Sequence, residues 1–476
     1  MTVAVLAHGV GGRTDLPLTA SVAVAGAVWA VIASFLILSV LWPRPRTGRD
    51  NAGVPLPATL QRIVSSRPLW EVLRLLVLLA AVLVTVAAFA GPTAPTDNLA
   101  PFALYITFWV GLALVSLLFG PVWRVLNPLR FLHRGLAALQ GRSPDSGRRE
   151  LPAALGWWPA AAWLAVFVWL ELVPPFRSEP AVVGGFLLVY AAVNLLAAHT
   201  CGATWFDRGD GFEAYSTLIG ALSPVGHRAD GRLVLRNPLD GATAVRHEPG
   251  LTALVVVLIG STAFDGLTRS RFWVEQIPAD SIPAGTLGLL GMTLAVAALY
   301  FLATAVADRR TSAAPVTTAE PAQEAASARR PVAAVAATGL SAGQGGSVPA
   351  TARVPLRASF ATSLVPIAAG YVIAHYFSLF LFEGQTTWIL VSDPFGTGAD
   401  YLGSRDRQVD YTFVSTTAIG YVQIGAIVAG HIVAALIAHD RAVTIFGERD
   451  ARQSQYPLMA AMLLFTGTAV ALLVST

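Results

Sequence analysis

The chain has 476 residues, 55% of them hydrophobic and only 13% charged, with a formal net charge of +4. That charged share is about half of what a soluble domain carries, so a water-soluble fold is excluded and length is better counted in membrane spans of about 20 apolar residues. All 32 basic residues are arginine, which excludes a lysine Schiff base and a P-loop lysine. The lone Cys201 excludes internal disulfides and any cysteine-built zinc or iron–sulfur site within one chain.

In chain order, apolar runs between charged or Pro/Gly-rich breaks predict about ten transmembrane helices, near 17–42, 72–91, 101–122, 156–173, 180–199, 250–265, 284–307, 359–382, 412–438 and 457–475. The start, "MTVAVLAHGVGGRTDLPL", has no basic n-region, so no cleaved signal peptide is expected and His8 belongs to a short external arm. The loops 43–71, 123–155, 200–249, 308–358 and 439–456, together with Arg74, carry 26 arginines, against six on the opposite side. Positive loops stay in the cytoplasm, which puts both termini outside the plasma membrane of a bacterium. The stretch 311–352 has no aromatic residue and is rich in Ala, Pro, Gly and Ser, the composition of a disordered cytoplasmic linker. The expected fold is therefore an all-α integral membrane bundle, with seven spans in 1–310, the linker at 311–352 and three spans in 353–476.

Two arginine-side stretches, "GPVWRVLNPLRFL" and "SPVGHRADGRLVLRNPLDG", both end on Asn-Pro-Leu at Asn127 and Asn237. A shared turn or a decayed internal repeat would each produce that likeness. Between them, Phe212, Tyr215, Leu218, Ile219 and Leu222 recur at helical spacing, as in an amphipathic helix lying on the inner membrane surface.

Polar groups at membrane depth are costly and face a protein interior or a wet cavity. The segment "GYVIAHYFSLFLFEGQ" puts Tyr371, His375 and Ser378 on one face of the eighth span, with Glu383 about two turns further out. Pro366 near its inner end is expected to free a backbone carbonyl. The ninth span carries Gln423 and His431, eight residues apart and about 80° around the helix, and small residues including Gly425, Ala426 and Gly430 that permit close packing. Asn194 and His199 lie in the fifth span; Glu171 and Asp265 lie near outer helix ends. At the inner interface His439, Asp440 and Arg441 read as a solvated charge cluster.

These positions give a candidate catalytic set of His375, Glu383 and Asp265 beneath an acidic external loop, with Tyr371, Ser378, Gln423 and His431 lining a cavity. A divalent metal ion is a candidate cofactor, with no ligand set identified. His375 and His431 differ in depth by roughly 10 Å, too far for one zinc. The lipid bilayer is the expected partner, and no nucleic acid is expected.

The segments "AHGVGGRTDLPL", "LWPRPR", "GPVWRVLNPLR", "GFEAYSTLIGALSP", "STAFDGLTRSRFW", "HYFSLFLFEGQ", "SDPFGTGADYLG" and "GHIVAALIAHDRAV" together resemble the actinobacterial membrane proteins named fenitrothion hydrolase, over nearly the whole chain outside the linker. The resemblance implies a hydrolase for an organophosphorus triester, an apolar small molecule reaching the site from the bilayer. A transporter or permease would use the same buried groups, and a metal- or haem-handling component would draw on His199, His375 or His431. The arginine distribution makes one expectation directly testable. A reporter fused within 311–352 should read cytoplasmic, and an external reading would overturn the assigned orientation.

Overall fold

The computed structural model describes residues 20–47, 53–228, 230–245, 247–310 and 359–474; the expected linker at 311–352 and the arm carrying His8 lie outside the described residues. The long helices are α1 (Ala20–Leu41), α2 (Arg67–Ala90), α3 (Leu99–Phe119), α5 (Trp158–Leu172), α6 (Pro180–Cys201), α9 (Leu251–Thr268), α10 (Ile282–Arg310), α11 (Val365–Leu390) and α12 (Thr416–Val474), with shorter α4 (Pro128–Leu139), α7 (Thr204–Gly209) and α8 (Gly211–Gly220) between them. Nine helices among the described residues are long and apolar enough to cross a membrane. The chain is a multi-pass, all-α membrane bundle. One small addition to the all-α expectation is an antiparallel sheet of β1 (Val54–Pro55), β2 (Val225–His227) and β3 (Leu233–Leu235), in the order β1–β3–β2, which ties together two arginine-rich loops.

The tenth expected crossing, 457–475, is not a separate helix. Helical backbone runs unbroken through α12, yet the imidazole of His439 lies 2.8 Å from the side-chain oxygen of Gln455. Sixteen residues of straight helix would hold them about 24 Å apart. Tyr371 likewise faces the His431 ring, with centroids 6.2 Å apart, while its hydroxyl donates to the Phe465 carbonyl at 3.4 Å. The helix therefore doubles back between His439 and Gln455, and its second arm returns along the first. The three C-terminal crossings are not a unit apart: α12 packs along α1, α10 and α11, while α11 packs on α3 and α9.

The contact between α11 and α12 is made by small residues, as their spacing predicted. A Cβ on Gly370 would lie 2.5 Å from the Ala426 carbonyl oxygen, and one on Gly430 would lie 2.6 Å from that of Pro366. Gly425 faces open space instead. Pro366 sits in the first turn of α11, where the missing N–H would be unpaired in any case, so it frees no carbonyl inside a span. The eighth crossing runs from Ala361 to Leu390 and so ends later than the expected 382.

The Asn-Pro-Leu likeness resolves as a shared turn. Asn127 and Asn237 each cap a helix, accepting from the N–H of Leu129 (2.9 Å) and Leu239 (3.1 Å), with Pro in the first helical turn. Upstream the two copies part, since Pro121 leads into a helical turn at Val122–Leu126 and Pro224 into strand β2.

Two sequence expectations fail at the arginine-rich end. The segment around Phe212 is not an interfacial helix but α8, buried on every side between α3, α5, α7 and the Val122–Leu126 turn. Gly202, at φ 78°, ends α6 and lets the chain turn back into the bundle through α7. The polar face of α8 is buried because it finds partners there. Ser216 pairs with Ser116 at 2.8 Å, and Glu213 accepts from Arg130 at 2.7 and 2.5 Å. Arg130 also holds Asp207 at 2.7 Å, and Asp210 accepts from Tyr190 at 2.6 Å and from Asn127 at 2.9 Å. Burial and the nearby Glu213 carboxylate push Asp210 above the ordinary carboxylate range. The second failure is the cluster His439 and Asp440, each 2% exposed rather than solvated. His439 contacts the Trp42 carbonyl at 2.9 Å, and Asp440 accepts from the Trp42 indole (2.8 Å), the Arg46 amide (2.7 Å) and the Thr47 hydroxyl, so the loop after α1 is pinned to α12.

Replacing Arg130→Gln would leave Glu213, 1% exposed, without its cation. Breaking such a buried pair costs about 3 kcal/mol or more. A large drop in melting temperature in detergent is expected; an unchanged one would show that α8 is held without this pair.

Candidate functional site

At the opposite, acid-rich end of the bundle, five helices bring polar side chains into one buried cluster. Glu171 is the penultimate residue of α5, Asp265 lies in the last turn of α9, and Arg269 follows it by four residues. The Arg269 guanidinium meets the Asp265 carboxylate at 3.0 Å, with Asp265 only 1% exposed. The helix α11 contributes His375 and Tyr376, consecutive residues that project about 100° apart. His375 turns towards Asp265, with Nδ1 3.6 Å from Oδ2, and Tyr376 turns towards Glu171 as its hydrogen-bond partner. One helix thus presents a polar side chain to each of two buried carboxyl groups, which sit on the directly packed helices α5 and α9.

Aromatic rings close the space around this pair. Tyr371, one turn below on α11, stacks on His375 with centroids 6.2 Å apart and meets His431 edge-on at the same distance. Trp109 of α3 stacks on Tyr215 of α8 at 4.3 Å and packs against Phe167 of α5 at 4.8 Å. On the turn after α5, the Arg177 carbonyl accepts from Tyr105 at 2.9 Å. Tyr105 lies within Phe102–Phe108, where α3 widens into a π-helical stretch, a deformation frequent at functional sites.

Several atoms in this cluster are buried without a hydrogen-bond partner among the described residues: Trp109 Nε1, Tyr215 Oη, His375 Nδ1, Arg177 Nε and Arg269 Nε. At 3.6 Å the His375–Asp265 approach is too long for a hydrogen bond. His431 is similar on one side. Its Nδ1 lies 2.8 Å from the Ile427 carbonyl, which can only accept, so Nδ1 carries the proton and the Nε2 lone pair is unpaired.

Of the expected catalytic set, His375 and Asp265 meet and Glu383 does not. Eight residues along α11 place Glu383 about 12 Å from His375, where it accepts from Tyr411 (3.2 Å) and Thr386 (3.4 Å). Tyr371 and His431 border the cluster; Ser378 and Gln423 are only half-buried on α11 and α12. His375 itself, with a side chain 7% exposed, is enclosed rather than open to outside water. The acidic loop after α11 spends its carboxylates on its own turns. Asp393 accepts from the amides of Thr397 (2.9 Å) and Gly398 (2.8 Å), and the Ser392 hydroxyl with the Arg405 amide holds Asp400 below the ordinary carboxylate range.

Sequence reasoning missed Glu171, Tyr376, Arg269, Tyr215 and Trp109 as members of the site. Glu171 was visible as a polar group near a helix end, and Tyr376 follows His375 directly. Tyr215 and Trp109 gave no signal, because an aromatic residue in an apolar run reads as packing.

The donor set does not fit a metal centre. Among the described residues no three His, Cys, Asp or Glu side chains converge to hold one. His375 and His431 both flank Tyr371 rather than each other, and His199 lines a groove with His133 between α4 and α6. Family models, curated proteins and solved structures were all compared with the chain, and none matches it.

The enclosure of His375 predicts a difference in chemical access. With Cys201→Ser as background, Glu383→Cys should react with a membrane-impermeant thiol reagent about tenfold or more faster than His375→Cys. Equal rates would place position 375 in open water.

Proposed function

We propose that this chain is a proton-coupled membrane transport protein for a small solute or ion, in which Glu171 and Asp265 take up and release the protons. The observation that carries this reading is a pair of carboxyl groups, 5% and 1% exposed, on the directly packed helices α5 and α9, with Tyr376 of α11 facing one and His375 facing the other. A carboxyl group at membrane depth is expensive while charged, so its protonation changes with its surroundings, and such groups line proton and ion paths. The buried half-helix α8 and the π-turn of α3 add irregular backbone inside the bundle, which is tolerated where it lines a cavity or path. In this reading the protein sits in a bacterial plasma membrane with its arginine-rich end in the cytoplasm, and Arg269 is the cation from which an arriving proton or solute must win Asp265.

A second reading follows from the resemblance to fenitrothion hydrolase, and one observation favours it. His375 beside Asp265, with Nδ1 unbonded, is an arrangement that could take a proton from water attacking a phosphorus centre. The water oxygen would bond to phosphorus as the aryl oxide leaves, with the water proton passing to His375.

Proteoliposomes containing a pH-sensitive dye test the first reading. Wild-type protein should acidify the lumen faster than empty liposomes under an imposed proton gradient, and Glu171→Gln or Asp265→Asn should cut that rate by about 100-fold. A wild-type rate equal to that of empty liposomes, with release of coloured nitrophenol from fenitrothion that is lost in His375→Gln, would replace transport by hydrolysis.

A further inference from the structure

The half-helix α8 reaches from one buried polar network to the other. Its first turn carries Glu213, held by Arg130 and Asn127 at the arginine-rich end. Two residues further on, Tyr215 is 0% exposed and points its hydroxyl into the interior with no hydrogen-bond partner among the described residues. Glu171 and Tyr376 lie within electrostatic range of it, so the ring faces the acid-rich centre. Its stacking neighbour Trp109, 3% exposed, has an equally orphaned indole N–H. Two adjacent, fully enclosed donors without acceptors are unusual, because buried polar atoms are nearly always paired with protein or with ordered water. An indole N–H can only donate, so what it meets must accept. Water meets that requirement, and it can donate onward to a carboxylate.

We propose that Trp109 Nε1 and Tyr215 Oη hold buried water that hydrogen-bonds onward to Glu171, making Tyr215 a positioning residue for proton delivery to that carboxyl from the α8 side. The water site stands on the orphaned donors alone; the delivery role rests on the proton-coupled reading above. In the step itself a proton joins the water, one water O–H bond breaks as the Glu171 carboxyl O–H forms, and Tyr215 keeps its own proton while fixing the water in line. Tyr371 supplies an internal control, since its hydroxyl is already satisfied by the Phe465 carbonyl.

Infrared spectra of the purified full-length protein, recorded in ordinary water and in oxygen-18 water, test the site without any activity. A water O–H band that moves with the isotope, disappears in Tyr215→Phe and Trp109→Phe, and survives in Tyr371→Phe is expected. No isotope-sensitive band in the wild type, or one that persists in both Tyr215→Phe and Trp109→Phe, would overturn the proposal. In proteoliposomes Tyr215→Phe should slow proton flux about tenfold at an unchanged melting temperature. Loss of the band with wild-type flux would overturn the delivery role. Absence of flux in the wild type would sink the transport reading and leave the water site to be judged by the isotope band.

Discussion

The arginine-rich end of this bundle depends on one guanidinium. Arg130 reaches Glu213 with two hydrogen bonds and Asp207 with a third, and it donates to the Ala203 carbonyl at 3.2 Å. Without that cation the acidic start of α8 would have to remain in water, and the helix would lie where its apolar periodicity alone would put it, on the membrane surface. With it, the segment is carried inside, where Tyr215 meets Trp109 and the two halves of the molecule share a polar element. The planar guanidinium suits the task because its fixed fork of donors serves two carboxylates and a carbonyl together.

The crossings were legible because length and hydropathy decide them. A run of apolar residues has no alternative in oil but a helix with its hydrogen bonds closed internally, so the boundaries from α2 to α10 fall within a few residues of the expected ones. What sequence could not give was the position of polar segments, since that depends on partners remote in the chain. Glu213 finds Arg130 and Asp440 finds Trp42, separations of 83 and 398 residues. A charge that reads as solvated is solvated only if no such partner exists. The reversal within α12 was hidden for a related reason: helical backbone continues through it, and only side-chain contacts such as His439 with Gln455 expose it.

Half of the candidate centre could be read in advance. His375 and Asp265 stood out as ionisable groups at membrane depth, and depth alone brought them together. Glu383 was included because it follows on the same helix, but two further turns carry it to the rim. Tyr376 escapes a single-face pattern because it projects about 100° from His375, and α11 uses both adjoining faces. These two faces address different carboxyl groups, so a small rotation of this one helix would change the partners of Glu171 and Asp265 at the same moment.

The return arm of α12 has a consequence for how the protein is made. α1 is the first of the described helices to emerge during synthesis, yet it packs along α12, the last. Until α12 leaves the ribosome, α1 lacks its main packing partner and the loop at Trp42 has no Asp440 to bind. The sequence of α1, "ASVAVAGAVWAVIASFLILSVL", suits that wait, with no ionisable side chain and a mean hydropathy of 2.5 over its apolar window. Closure of this pair is thereby deferred until α12 is made, so a chain stalled before it leaves α1 exposed to the membrane's quality control.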